Sequence, residues 1–256
     1  MTCTTSLHAL LYLVCGLVLL ITLVSIRLVL ILHSQHSNPI PTPTRPRDAP
    51  ASIAIFLGSG GHTAEMMRLV SHLDWSRYST RTWIISSGDH LSERKALDFE
   101  STIDSGQFRI LTIPRARRVH QSYLTSLFTT LYSFGFCLYH ISLAPYLSPR
   151  RPRSTKFADL ILLNGPGSSV TIALAAFIPK LLLGRSRGAS IVYIESLART
   201  RSLSWSAKLL RPIVDRFFVQ WESLRTELLK KQNSKGGLGP RSWRLKAQVE
   251  CQGWLV

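Results

Sequence analysis

Apolar positions change their spacing several times along the chain, and each change marks a different kind of element. Residues 7–32 are almost continuously apolar, with Arg27 as the single charge among them. A run of about 26 residues exceeds the roughly 20 needed to cross hydrocarbon, so it predicts one transmembrane helix. No Lys or Arg precedes the apolar core and no clear small-residue cleavage site follows it. The segment therefore reads as a retained anchor rather than a cleaved signal peptide. Arg27 lies near the C-terminal end, where a long side chain snorkels to the headgroups. Residues 34–50 then carry Pro39, Pro41, Pro43, Pro46 and Pro50 with few apolar side chains. That composition predicts an extended, semi-rigid spacer.

Beyond the spacer, short apolar runs alternate with helical spacing. Residues 52–57 form a run suited to a buried parallel strand. A Gly-rich turn follows, and then residues 64–73 place Met66, Leu69, Val70 and Leu73 on one helical face. Further strands are predicted at residues 81–86, 108–113, 157–163, 190–195 and 217–221. Helices are predicted within 89–100, over 122–147 and from 168 to about 178. Residues 230–244 read as loop. Strand, turn and helix in alternation specify an α/β fold: a Rossmann-like parallel sheet with helices on both faces. The domain organisation is an anchor over 1–33, a linker over 34–50 and one folded unit over 51–256. The helix over 122–147 is less simple. Leu124, Leu127, Phe128, Leu131 and Leu138 mark one face, but from Leu131 onward apolar residues occur all round. Such a helix is either buried or in contact with lipid. His140 and the scattered Ser and Thr argue against a second span, which leaves burial in the domain or contact with the membrane interface.

Charge narrows the partners. Lys and Arg number 31 against 14 Asp and Glu, a formal charge of +17. The acids Asp89, Glu93, Asp98, Glu100 and Asp104 cluster early, whereas residues 107–212 hold only Asp159 and Glu195 among many bases. A chain this basic suits nucleic acid, an anionic membrane face or phosphorylated ligands. Aromatic side chains are not interleaved with the arginines as base-stacking platforms would be, and the span also argues against nucleic acid. Arg45 and Arg47 follow the span and no base precedes it, which directs the folded unit to the cytosol. Cys3, Cys15, Cys137 and Cys251 form no CxxC pair, so neither a zinc site nor a redox motif is supported.

The candidate chemistry sits where strands end. Gly58-Ser59-Gly60-Gly61-His62-Thr63 links the first strand to its helix, with Glu65 one turn on. Glycines admit close backbone approach, and N–H groups at a helix start favour an anion. The turn is neither a Walker A loop nor GxGxxG, and a tight turn alone explains its glycines equally. Arg115, Arg117 and Arg118 follow the third strand, as a diphosphate clamp, a lipid-headgroup contact or a solvated loop. Asn164-Gly165-Pro166-Gly167 is a second small-residue turn at a helix start. Glu195 ends an apolar strand, where an acid is either ion-paired or functional.

With these residues in place, the chain resembles the membrane-anchoring subunits of the eukaryotic UDP-N-acetylglucosamine transferase that adds the second sugar of the dolichol-linked oligosaccharide. The matching segments, in order from about residue 53 to 256, are Gly58 to Thr63 with Glu65, Ile113-Pro114-Arg115-Ala116-Arg117, Asn164 to Gly167, Tyr193-Ile194-Glu195-Ser196 and Phe218-Val219-Gln220-Trp221. Each is weak alone; five in order are specific. The resemblance implies one lobe of a two-lobed GT-B glycosyltransferase, split over two chains. This chain would supply the acceptor side, and a soluble partner would supply most of the UDP-GlcNAc site. The heterodimer would act on GlcNAc-diphosphodolichol at the cytosolic face of the endoplasmic reticulum or nuclear membrane. No cofactor or metal is expected, in keeping with the lack of a DxD motif. On this reading His62 or Glu65 is the base for the acceptor hydroxyl. Gly58, Ser59, Gly60, Gly61, Thr63, Asn164, Gly165 and Gly167 frame a diphosphate, Arg115 and Arg117 neutralise it, and Glu195 binds sugar hydroxyls. The stretch 222–250 departs from the family by being longer and more basic, which puts the docking of the partner in doubt. A scaffold that recruits a soluble enzyme without site residues of its own is the main rival. A self-sufficient enzyme would need a second lobe, for which the chain is too short.

Overall fold

The computed structural model describes residues 2–37, 49–117, 121–147, 156–165, 167–234 and 247–251. Helix α1 spans Thr2–Ser37. It therefore runs past the predicted anchor and takes up the first residues of the predicted spacer. Residues 38–48 of that spacer, together with Arg118, Pro166 and part of the 222–250 stretch, lie outside the described residues.

The folded unit is built on β1 (Ser52–Leu57), β2 (Thr80–Ser86), β3 (Gln107–Ile113), β4 (Leu160–Asn164), β5 (Ser190–Ile194), β6 (Arg216–Phe218) and β7 (Val249–Glu250). All six pairings are parallel, and the strand order is β3-β2-β1-β4-β5-β6-β7. The direction of winding reverses between β1 and β4, so the first helix crossing leaves a crevice above their C-terminal ends.

Successive residues of a strand point to opposite faces, and the apolar runs here serve two cores. Ile53, Ile55, Leu57, Trp83 and Ile85 pack under α2 (Gly61–Ser71) and α3 (His90–Glu100). Ala54, Phe56, Ile84, Ile161, Leu163, Ile191 and Tyr193 face the other way. There they meet α4 (Tyr123–Cys137), α6 (Ser168–Leu183), α7 (Trp205–Leu210) and α8 (Glu222–Ser234). Burial on both faces is why the strands read as unbroken apolar runs rather than alternating ones. At the sheet's lower edge, Asp159 accepts from both the amide and the hydroxyl of Ser52, at 3.0 and 2.9 Å. On the α3 side, the buried Glu100 carboxylate accepts from Arg81 and from the Trp83 indole.

The predicted long helix over 122–147 is one helical body with an interruption. A π-helical turn, Leu138–Leu143, separates α4 from α5 (Ala144–Leu147). Its inner side, with Ser133, Cys137, Ile141 and Ser142, is buried against α6. Its outer side exposes Leu124, Leu127, Phe128, Leu131 and Tyr132. It is thus a layer of the domain with a bare apolar flank.

Helix α6 continues five residues beyond the expected stop, through Pro179. Proline has no N–H to give the carbonyl four residues earlier, which here belongs to Ala175. The Ser142 hydroxyl, brought in by the π-helical turn, donates to that carbonyl instead. Ser142→Ala should leave a buried acceptor unsatisfied and cost about 1–3 kcal/mol. Ala at 179 restores an N–H to the helix, so Ser142→Ala should cost much less on a Pro179→Ala background. Denaturant midpoints of the wild type, both single variants and the double variant measure this coupling.

Candidate functional site

Because the sheet is parallel, the C-terminal ends of β1 to β5 share one rim. The loops that leave it are tied to one another by side chains. Gly60 has φ +69°, a left-handed conformation that opens the turn into α2, and neither Gly60 nor Gly61 has a heavy atom within 4 Å of where a Cβ would stand. The backbone at the start of α2 is therefore bare. Thr63 lies just inside, and its hydroxyl donates to the Gly58 carbonyl at 2.6 Å and meets the Ser92 hydroxyl at 2.7 Å. Ser92 is held in turn by Asp89, the N-cap of α3. The Thr63 side chain is buried and hydrogen-bonded to the loop after β1 and to α3.

Glu65 binds the other side of the crevice. One carboxylate oxygen accepts from the Asn164 amide at 2.9 Å. The other accepts from the Ser196 hydroxyl at 2.9 Å and from the Leu197 backbone N–H at 3.2 Å. Three loops, after β1, β4 and β5, thus converge on one carboxylate. Burial opposes its charge, but the adjacent His62 imidazole and the hydrogen bonds from Asn164 and Ser196 win, and the pKa falls from 4.5 to about 2. Nδ1 of His62 lies 3.6 Å from Glu65 Oε2. That nitrogen is out of contact with solvent and has no hydrogen-bond partner among the described residues. The His62 side chain keeps 30% of its surface exposed, against 16% for Glu65. Gly165, at φ +84°, lies so close that a Cβ there would stand 2.7 Å from His62 Cγ. The glycine therefore makes the slot in which the imidazole sits.

The basic loop joins the rim through helix starts. The Ala116 N–H donates to the Ser168 hydroxyl at the start of α6, 3.3 Å away. Thr129 and Thr130 of α4 donate to the Ala116 carbonyl, and Ser133 donates to that of Pro114. Arg115 is fixed through Nε to the Ser87 carbonyl at 2.9 Å, and Arg117 donates to the Gln121 carbonyl. Gly167 precedes α6 with open space where a Cβ would be. Arg115, Arg117 and a second bare helix start therefore belong to one connected stretch of the rim.

The Glu195 side chain is buried, and its oxygens accept from the backbone N–H groups of Ser196 and Ser204 and from the Ser204 hydroxyl. Its carboxylate shapes the loop into α7. The acid at a strand end is conspicuous in the sequence, but its partners, one of them nine residues away, are not. Ser196, which holds Glu65, escapes notice as a site residue for the same reason.

The rim thus combines a histidine beside an anchored carboxylate, two bare helix starts and two arginines. The family model for the oligosaccharide biosynthesis protein Alg14 like matches residues 53–238. This chain belongs to the Alg14 family. The UDP-N-acetylglucosamine transferase subunit ALG14 of Cryptococcus neoformans is 45% identical over 182 residues, covering 69% of this chain and 76% of the relative. The subunit of the same name from Candida albicans is 45% identical over 207 residues, covering 80% and 86%. That from Rattus norvegicus is 39% identical over 197 residues, covering 73% and 83%. Among solved structures, MurG of Acinetobacter baumannii is matched with a TM-score of 0.44 at 12% identity, over 66% of this chain and 41% of that one. The Alg14 match takes in every loop of the rim.

The anchoring of Glu65 has a measurable pH signature. Its pKa in the fold lies below its ordinary value, so its contribution to stability is complete above about pH 4.5 and is lost as pH falls toward about 2. Glu65→Gln should therefore be less stable than wild type at neutral pH. The gap should close between pH 4.5 and 2, as read from unfolding free energies of both proteins across that range.

Proposed function

We propose that this chain is the membrane-anchored, acceptor-binding subunit of a heteromeric N-acetylglucosaminyltransferase. In this reading it forms one lobe of a GT-B enzyme. A soluble partner brings UDP-GlcNAc, and the acceptor is a GlcNAc-diphosphate lipid of the dolichol type. Membership of a family whose relatives are named as UDP-N-acetylglucosamine transferase subunits supports the activity. The observation that carries the residue assignment is the triad of His62, Glu65 and Asn164 at the switch point of the sheet.

Glu65 with a pKa near 2 is a poor proton acceptor at neutral pH. It acts as a fixed anion that orients His62 and stabilises the imidazolium once formed. Nδ1 of His62 faces Glu65, which leaves Nε2 for the acceptor. In the transfer, Nε2 takes the proton from the acceptor sugar's 4-hydroxyl as its oxygen attacks the anomeric carbon of the donor. The bond from that carbon to UDP breaks on the opposite side, giving inversion and free UDP. The acceptor's diphosphate lies along the bare backbone at Gly60, Gly61 and Gly167, and Arg115 and Arg117 supply its counter-charge. Helix α1, apolar and exposed from Leu10 to Arg27, carries the lobe on the membrane. We place the lobe on the cytosolic face of the endoplasmic reticulum; Arg45 and Arg47, which follow the span, favour the cytosolic side. The bare flank of α4 faces the same lipid.

The test is transfer of labelled GlcNAc from UDP-GlcNAc to a GlcNAc-diphosphate lipid by membranes containing the chain and its partner. His62→Ala should lower turnover about 10²–10⁴-fold while the partner is still recruited. Glu65→Gln should keep part of the activity but shift the pH–rate profile. Full activity of both variants would reduce the chain to a scaffold.

A further inference from the structure

The end of α1 is hydrogen-bonded into the folded unit. Arg27 donates through Nε to the Leu181 carbonyl and through Nη2 to that of Leu182, the latter at 2.8 Å. Arg185 returns a bond to the Ser34 carbonyl at 2.8 Å. Gln35 donates to the Ile213 carbonyl at 2.9 Å, and His36 Nε2 meets that of Val214 at 3.1 Å. Leu28, Ile31 and Leu32 pack on the core behind α6. Contacts therefore occur along three turns of helix, before the proline-rich segment begins.

The chemistry of the Arg27 contact is specific to a membrane boundary. The last carbonyls of α6 have no partner within their own helix, and the helix dipole makes that end negative. Arg27 is always charged and sits on an apolar helix. Each group meets the other's need where water is scarce. A hydrocarbon core of ~30 Å takes about 20 helical residues. Counted from Leu10, it ends within a turn of Arg27. The carbonyls that Arg27 holds are thus at the edge of the hydrocarbon. The adjoining side chains are apolar and bare: Leu182 is 63% exposed and Leu183 55%.

We infer that α1 is a rigid strut rather than a tether, and that its Arg27 lock seats the C-terminal end of α6, Leu182 and Leu183, in the bilayer interface. This rests on α1 being a membrane anchor. The occupant of the Leu182–Leu183 surface is phospholipid, because the helix locked against it is itself the span.

The experiment uses the full-length chain in phosphatidylcholine vesicles that contain alkyne-tagged phosphatidylcholine. A photoreactive benzoylphenylalanine is placed at position 19, 97 or 182 in separate samples. Position 19 lies mid-way along the exposed part of α1, and Leu97 is exposed on α3 across the sheet. Lipid adducts should form at 19 and 182 and be several-fold weaker at 97. Arg27→Ala should lower the adduct at 182 several-fold and leave that at 19 intact, and Arg27→Lys should restore part of it. Arg185→Ala, which breaks the lock outside the bilayer, should act in the same direction. Adducts at 19 without adducts at 182 would overturn the seating of α6 while keeping the anchor. Adducts at 182 that survive both Arg27→Ala and Arg185→Ala would overturn the strut. Absence of adducts at 19 with Arg27 and Arg185 both in place would overturn the anchor reading on which both depend.

Discussion

The buried end of Glu65 is the constraint around which the crevice is organised. A carboxylate between strand ends is costly unless nearly every lone pair finds a donor. Here the donors come from β4, through Asn164, and from the loop after β5, through Ser196 and Leu197. Satisfying one anion therefore closes three loops over the reversal in strand order. The same bonds hold the carboxylate ionised, which decides its chemistry. In the proposed mechanism it orients the proton carrier beside it and leaves the carrying to His62. The left-handed glycine at 165 completes the arrangement, since a side chain there would occupy the volume of the imidazole.

The elements that are legible in the sequence share a physical cause. Strands β1, β2, β4 and β5 are largely buried on both faces, so their apolar runs mark them without knowledge of their neighbours. The Gly-rich turn and Asn164 to Gly167 are legible because small residues at a helix start have few other uses. The features that escape depend on contacts between distant segments. β7 has two residues and acquires its identity from β6. Helix α7 has six residues and a Ser204 cap supported by Glu195. The stop expected before Pro179 fails because Ser142, over thirty residues away, relieves the local penalty. The hydrogen-bond partners of Glu195 and Thr63 are not legible because a polar residue beside a ligand and one beside a backbone N–H or carbonyl look alike in sequence.

The proline-rich segment illustrates the same limit at the scale of domains. Its composition predicts a spacer, yet a spacer separates two bodies only when they do not bind each other. Arg27, Ser34, Gln35 and His36 are bound to the folded unit before the prolines begin. Where the helix end is docked, the length of the proline-rich stretch no longer sets the distance between membrane and domain.

Helix α6 then relates the two functional regions. Its N-terminal end carries Ser168 beside Gly167 and the basic loop, and its C-terminal end carries the leucines beside Arg27. Sixteen residues make a rod of ~24 Å, which is the greatest height at which α6 can hold the crevice above its lower end. A rod standing upright would use all of that height and leave the bare flank of α4 in water. A rod lying along the bilayer lowers the crevice toward the headgroups and covers Leu124, Leu127, Phe128 and Leu131 of the helix packed beside it. Burying apolar surface favours the second arrangement at about 25 cal/mol per Å². It is also the one that would bring Arg115 and Arg117 to the diphosphate of the proposed lipid acceptor.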